Sequence, residues 1–240
     1  MNLRIFAPQQ LGKEAPAATI VSTFKSQPVE CPAIPVPTAS AWFYASQRIV
    51  DVALTCVALL FLLVPCIIIA LAIKLESKGS ILFRQKRVGQ NGELFWFYKF
   101  RSMVADAEAQ RNALMQMNEA SGPLFKIKND PRITRVGRFI RKYSLDELPQ
   151  LLNVLTGEMS LVGPRPALPA EVEQYSDRQR ARLSVRPGIT GLWQVSGRSD
   201  LSFERSVELD IEYVTTQSMP LYFRILVMTI PAVLKGRGAY

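Results

Sequence analysis

No histidine occurs among the 240 residues. That excludes a Ser-His-Asp triad, a Cys-His dyad and any metal site built on imidazole. Acid–base or covalent chemistry must then use carboxylates, Lys, Tyr, Ser, Thr or Cys. Cysteine is scarce as well: Cys31, Cys56 and Cys66 form no CxxC, and two of them sit inside an apolar run. Neither a disulfide framework nor a zinc site is expected, which fits a reducing compartment. There is no dinucleotide GxGxxG and no phosphate-binding Walker A pattern. No apolar core follows the first basic residues, so a signal peptide is not expected. No internal repeat is visible.

Positive charge is in surplus. Lys and Arg number 29 against 20 Asp and Glu, a formal charge of +9. Such a balance favours an anionic partner: nucleic acid, anionic lipid head groups or a phosphorylated substrate. Nucleic acid accounts for the charge but not for the apolar segment described next.

Residues 52–73 run without a single charge. A spanning helix needs ~20 such residues. Pro65 interrupts the run; it lacks an N–H, and its ring crowds the carbonyl of Phe61. Two membrane paths are open, a kinked span or a re-entrant hairpin that leaves by the face it entered; a buried core helix is the third alternative, which the length of the run disfavours. The flank after the run carries Lys74, Lys78, Arg84, Lys86, Arg87, Lys99 and Arg101. The positive-inside rule then puts the C-terminal side in the cytoplasm.

The rest divides by composition. Residues 1–41 are proline-rich with little hydrophobic periodicity and read as a disordered or variable arm. Residues 42–75 hold the membrane helix, and 76–240 a soluble-looking domain. Within it, residues 81–83 and 94–100 read as strands joined by a turn at 89–92. Helices are expected at 103–118, 133–143, 148–155, 168–183 and 202–216, with a Pro/Gly-rich loop at 186–200. The apolar stretch 219–234 is short for a span and contains Arg224, which fits a helix lying in the interface.

Four constellations could carry chemistry. Asp146 and Glu147, in RKYSLDELPQ, follow a basic segment with Lys126, Lys128, Arg132, Arg135, Arg138, Arg141 and Lys142. One carboxylate can act as a nucleophile and its neighbour can hold Mg²⁺ against a diphosphate. The structural alternative is an S-x-x-E capping box from Ser144 to Glu147, which Pro149 fits poorly. In Gly163-Pro164-Arg165-Pro166, two prolines could present a guanidinium rigidly to a phosphate; a surface loop is the alternative. RPGITGLWQVSGRS (186–199) could cradle a base and phosphates, or be a turn with Trp193 buried. Arg132, Arg135 and Arg138 are spaced for one helical face, either solvated or set against anionic lipid.

Together these segments resemble one family, the bacterial sugar transferases or monotopic phosphoglycosyl transferases. The resemblance covers about residues 45–240 and rests on four stretches in one order. They are FRQKRVGQNGELFWFYKFRSM (83–103), DPRITRVGRFIRKYSLDELPQLLNVLTGEMSLVGPRPALP (130–169), RPGITGLWQVSGRS and PAVLKGRGAY (231–240). It implies a mostly α fold with a small β element, monotopic, with a re-entrant helix and interfacial amphipathic helices. It implies transfer of a sugar 1-phosphate from a UDP-sugar to polyprenyl (undecaprenyl) phosphate with release of UMP, as a first step of exopolysaccharide or other glycan assembly. Asp146 would be the nucleophile and Glu147 the Mg²⁺ ligand. Arg141 and Arg165 would lie near the phosphates, Arg198 near the nucleotide, and Lys99 in the same pocket.

The expected site of action is the cytoplasmic face of the bacterial inner membrane, with membrane lipid as a contact and no nucleic acid. A homo-oligomer and the identity of the sugar are left open. The competing reading is a non-catalytic scaffold binding anionic lipid or a polysaccharide-export partner. One departure is that Val64-Pro65 stands where some members carry Ser-Pro, so no serine hydroxyl supports the helix break.

Overall fold

The computed structural model describes residues 39–110, 112–119, 127 and 129–235. The arm, Cys31, Lys126, Lys128 and the last five residues lie outside them, apart from the arm's final residues.

Helix α1 (Ala41–Glu76) contains the apolar run and Pro65, and opens on Ser40, whose hydroxyl accepts from the Phe43 N–H. It is long and apolar enough to cross a bilayer, and only 11% of its most apolar window is buried. Burial occurs at two places: at Phe43, Gln47, Asp51 and Thr55, and again at Ile69 and Ile73. Between them Val57, Leu60, Phe61, Leu63, Val64, Ile67 and Ile68 are exposed.

Strands β1 (Leu82–Val88) and β2 (Leu94–Phe100) form an antiparallel hairpin with Leu82 opposite Phe100 and Arg87 opposite Phe95. Asn91 turns it in the left-handed conformation that Asn tolerates. The chain then runs through turns and a 3₁₀ segment, Asn112–Met117, rather than the regular helix expected at 103–118. Helix α2 (Arg135–Lys142) is capped by the Thr134 hydroxyl on the Gly137 N–H, and the Glu76 carboxylate accepts from the N–H groups of Arg135 and Val136. A 3₁₀ turn (Leu145–Gln150) leads into α3 (Leu151–Thr156) and β3 (Ser160–Val162).

The helix expected at 168–183 is broken into α4 (Pro169–Val172), α5 (Asp177–Arg180) and a 3₁₀ turn, because Ser176 with Gln179 starts a new capping box inside it. The expected loop at 186–200 instead contains β4 (Gly188–Thr190) and α6 (Leu192–Ser196), then a 3₁₀ turn. Helices α7 (Phe203–Thr215) and α8 (Met219–Lys235) close the fold. The protein is thus mostly helical with two small sheets.

Strands β3 and β4 pair in parallel, which joins the GPRP segment to RPGITG. The approach demands glycine: a Cβ on Gly188 would lie 2.0 Å from the Gly163 backbone nitrogen. Gly188→Ala should therefore force the two strands apart and destabilise the fold by about 3 kcal/mol. Thermal melting of the purified variant checks this, and an unchanged melting temperature would refute it.

Asp51 fastens the N-terminal part of α1 to the domain. Its Oδ1 accepts from Tyr222 Oη at 2.7 Å, Leu161 N at 2.9 Å and Ser160 Oγ at 3.1 Å. Gln47 adds Nε2 bonds to Ser160 Oγ and the Val162 carbonyl, and Arg48 donates to the carbonyls of Val154 and Leu155. The C-terminal part of α1 packs Ile69 and Ile73 against Phe100 and Ile140, with Leu145 and Leu148 alongside.

The expected arginine stripe is not one surface. Arg135 and Arg138 are exposed on α2, but Arg132 precedes the helix and is buried. It grips Asp130 through Nε at 2.9 Å and Nη2 at 2.5 Å, and donates to the Ala107 carbonyl. A bidentate partner two residues away outcompetes the helical position.

Candidate active site

Asp146 and Glu147 lie on the 3₁₀ turn directly after α2. Ser144 takes the left-handed conformation (φ 54, ψ 21) and makes no side-chain cap, so the capping box does not form. That conformation costs a non-glycine residue roughly 1–2 kcal/mol. It ends α2 abruptly, and Pro149 keeps the next segment from becoming a regular helix. Leu145 and Leu148 turn into the apolar cluster beneath, which leaves the carboxylates on the opposite side.

Strand β2 supplies the first cation. Lys99 Nζ lies 2.8 Å from Glu147 Oε1 and 3.7 Å from Asp146 Oδ2. The GPRP segment supplies the second: Arg165 Nη1 lies 3.2 Å from Glu147 Oε1. Arg141 sits on α2 within electrostatic reach of Asp146, and Arg198 within reach of Glu147. Arg198 is in the left-handed conformation, and its Nη1 is shielded from water without a hydrogen-bond partner. All six sequence-identified residues therefore converge, Lys99 and Arg165 by direct contact and Arg141 and Arg198 through their fields. Trp193 is half-buried, with its indole N–H unpaired.

The two carboxyls are held differently. Burial pushes Asp146 above the ordinary carboxylate range; Lys99 opposes that rise, and the Glu147 charge adds to it. Glu147 is also penalised by burial, but the Lys99 ammonium and the Arg165 guanidinium outweigh that and hold it down to about 2. The Lys99 and Arg165 charges thus favour the ionised form of Glu147, while burial works against that of Asp146.

Arg87 was not singled out as a site residue from the sequence. It lies on β1 with its guanidinium over the Phe97 ring at 5.3 Å, while Lys99 Nζ lies 5.4 Å from the same ring. Arg87 Nη1 donates to the Pro166 carbonyl at 3.1 Å, and its Nε is buried without a partner. Burial, then repulsion from Arg165, pulls its pKa down to about 10. The usable signal was strand pairing, since Arg87, Phe97 and Lys99 fall on one face of the β1–β2 hairpin.

The GPRP backbone is held from the other side by Arg182. Its Nη2 pairs with Asp210 and reaches the Arg165 carbonyl, and its Nη1 donates to Tyr175 Oη at 3.0 Å. Asp210→Ala would leave a buried guanidinium uncompensated and should cost about 3–5 kcal/mol. The double change Arg182→Met with Asp210→Leu should recover most of that loss in a denaturant titration. Equal losses in both variants would refute the pairing argument.

Lys99, Arg87, Arg141, Arg165 and Arg198 thus face Asp146, Glu147 and, near Arg87, Glu171. Positive charge is in excess, and unpaired buried donors point to an anionic ligand with several oxygens. Among the described residues no cluster of three or more metal-ligating side chains exists. Mg²⁺ usually takes only one or two carboxylates and completes its shell with water and substrate phosphates. The Asp146–Glu147 pair fits that mode.

Comparison with known proteins matches residues 42–236 to the family described as bacterial sugar transferase. The galactosyl transferase CpsE of Streptococcus agalactiae is 45% identical over 195 residues, which cover 81% of this chain and 43% of that protein. The undecaprenyl-phosphate galactose phosphotransferase of Salmonella typhimurium is 48% identical over 170 residues, 68% of this chain and 35% of that protein. The exopolysaccharide production protein ExoY of Rhizobium meliloti is 41% identical over 199 residues, 81% of this chain and 88% of that protein. The chain thus spans less than half the length of the first two and most of the third.

Proposed function

The chain belongs to the bacterial sugar transferase family, and on that premise we propose that it transfers a sugar 1-phosphate from a UDP-sugar to undecaprenyl phosphate, releasing UMP. The observation that carries this reading is a buried carboxyl, Asp146, beside Glu147, with Lys99 in contact with both and Arg165 with Glu147. The galactose named for two relatives makes UDP-galactose the first donor to test. The name of a third, an exopolysaccharide production protein, supports reading the step as part of exopolysaccharide assembly.

In the first half-reaction an Asp146 carboxylate oxygen bonds to the β-phosphorus. The bond from that phosphorus to the bridging oxygen breaks, and UMP leaves with the electron pair. In the second, an oxygen of the acceptor phosphate attacks the same phosphorus. The acyl-phosphate bond breaks, Asp146 returns as carboxylate, and a polyprenyl-diphosphate sugar is formed. Lys99 and Arg165 are placed to balance charge on the phosphoryl oxygens. Arg141 would assist at the phosphates and Arg198 at the nucleotide. Glu147 would hold Mg²⁺, which supplies Lewis-acid neutralisation of the diphosphate when bound.

The contacts of α1 support a hairpin. Its 36 residues would extend about 54 Å if straight. Yet Asp51 near one end and Ile73 near the other both rest on the same domain, while the apolar middle projects free. A straight span would carry one of those ends across ~30 Å of hydrocarbon. We therefore read α1 as re-entrant at Pro65, α8 as interfacial, and the domain as lying on the cytoplasmic face of the inner membrane.

The test is UMP release from purified protein given a panel of UDP-sugars and undecaprenyl phosphate. Release with one or more donors is expected; none with any would overturn the reading. Glu147→Gln should raise the Mg²⁺ needed for half-maximal rate by roughly tenfold or more. An unchanged metal titration would remove Glu147 from that role.

A further inference from the structure

An apolar groove of about 490 Å³ lies between the second half of α1 and the hairpin, on the face of β2 away from Lys99. Cys66, Ile67 and Ala70 form one wall, Ile81, Leu82 and Phe100 the other, with Ser80 beside them. We propose that this groove receives the first isoprene units of the polyprenyl-phosphate acceptor, an inference that rests on the transferase reading above.

Three observations select that occupant. The groove is continuous with the surface given to the bilayer, since Ile67, Ile68 and Leu71 are exposed along the same stretch of α1. A tail therefore enters from the acyl layer without crossing water. The groove also shares its floor with the reacting turn. Cys66, Ala70, Ile81 and Phe100 belong to one apolar cluster with Leu145 and Leu148, the residues that flank Asp146 and Glu147. Finally, Phe100 is the last residue of β2, and Lys99 precedes it on the opposite face. A lipid in the groove reaches the Lys99 side by rounding the end of the strand. An apolar slot beside a cationic phosphate site matches a molecule with a prenyl tail and a phosphate head.

The test compares acceptors of different length on one variant. Ala70→Phe fills the groove and should raise the KM for undecaprenyl phosphate roughly tenfold, against less than about twofold for butyl phosphate, whose tail cannot use the slot. An unchanged KM for the long acceptor, or equal rises for both, would overturn the proposal. A second measurement uses the wild-type chain in nanodiscs. Undecaprenyl phosphate with a diazirine in its first isoprene units should label residues 66–70 and 80–82. Labelling of α8 instead, or equal labelling by a diazirine phosphatidylglycerol that undecaprenyl phosphate does not compete away, would also overturn it. Failure of the underlying reading is separately visible: the wild-type chain would then release no UMP from any UDP-sugar even with undecaprenyl phosphate or butyl phosphate supplied.

Discussion

Asp146→Asn should lower sugar-phosphate transfer by roughly 10⁴-fold or more, the scale on which removal of a covalent nucleophile acts. The amide keeps the size and most of the polarity of the carboxylate, and it leaves the Lys99–Glu147 contact at 2.8 Å in place. What it removes is the anionic oxygen that would bond to phosphorus. The protein should remain folded, because Asp146 contributes one long contact to Lys99, at 3.7 Å, whereas Glu147 holds both Lys99 and Arg165. Two measurements separate the nucleophile from a general electrostatic role. Without acceptor, the wild-type chain should release about one UMP per molecule and gain a phospho-sugar mass on the peptide containing residues 145–150. The variant should show neither. Near-normal UMP release by Asp146→Asn would end the covalent scheme, and an acceptor requirement for any release would favour direct transfer instead.

The dyad stood out in the sequence as adjacent carboxylates after a basic run, with Pro149 a poor fit to the capping-box alternative, but the roles of Asp146 and Glu147 came from the family resemblance. The structure resolves that competition locally: Ser144 is left-handed and caps nothing. The prolines flanking Arg165 left a surface loop open, and the resemblance placed it near the phosphates. Arg87 was not legible, since its relation to Lys99 exists only once β1 and β2 are paired in register. Local pattern also failed where several short turns mimic one helix. Residues 168–183 have helical composition, but the Ser176–Gln179 capping box restarts the chain. Residues 186–200 have loop composition, but pairing of Gly188–Thr190 with Ser160–Val162 imposes a strand. Arg132 looked like a stripe member until Asp130, two residues away, claimed its guanidinium. In each case a contact distant in the fold, or a partner too close for periodicity to register, decided the outcome.

The apolar run predicts a membrane anchor, but the path proposed for it rests on residues outside that run. Asp51→Ala is the substitution that tests this most directly. It removes a buried acceptor shared by Tyr222, Leu161 and Ser160, from α8 and β3. Each stranded donor costs about 1–3 kcal/mol, so a total near 4 kcal/mol is expected. For a chain of this size that corresponds to a fall of roughly 8–16 °C in melting temperature. The loss should be local in origin, because the C-terminal part of α1 keeps Ile69 and Ile73 packed on Phe100 and Ile140. Cysteines placed at Ile49 and Leu75, both exposed, then report the path. In inverted membrane vesicles the parent chain should accept an impermeant thiol reagent at both positions from the cytoplasmic face. Labelling of only one from that face would restore the straight span. If Asp51→Ala leaves the melting temperature unchanged, the Asp51 contacts do not hold α1 to the domain, and the proposed hairpin loses that support.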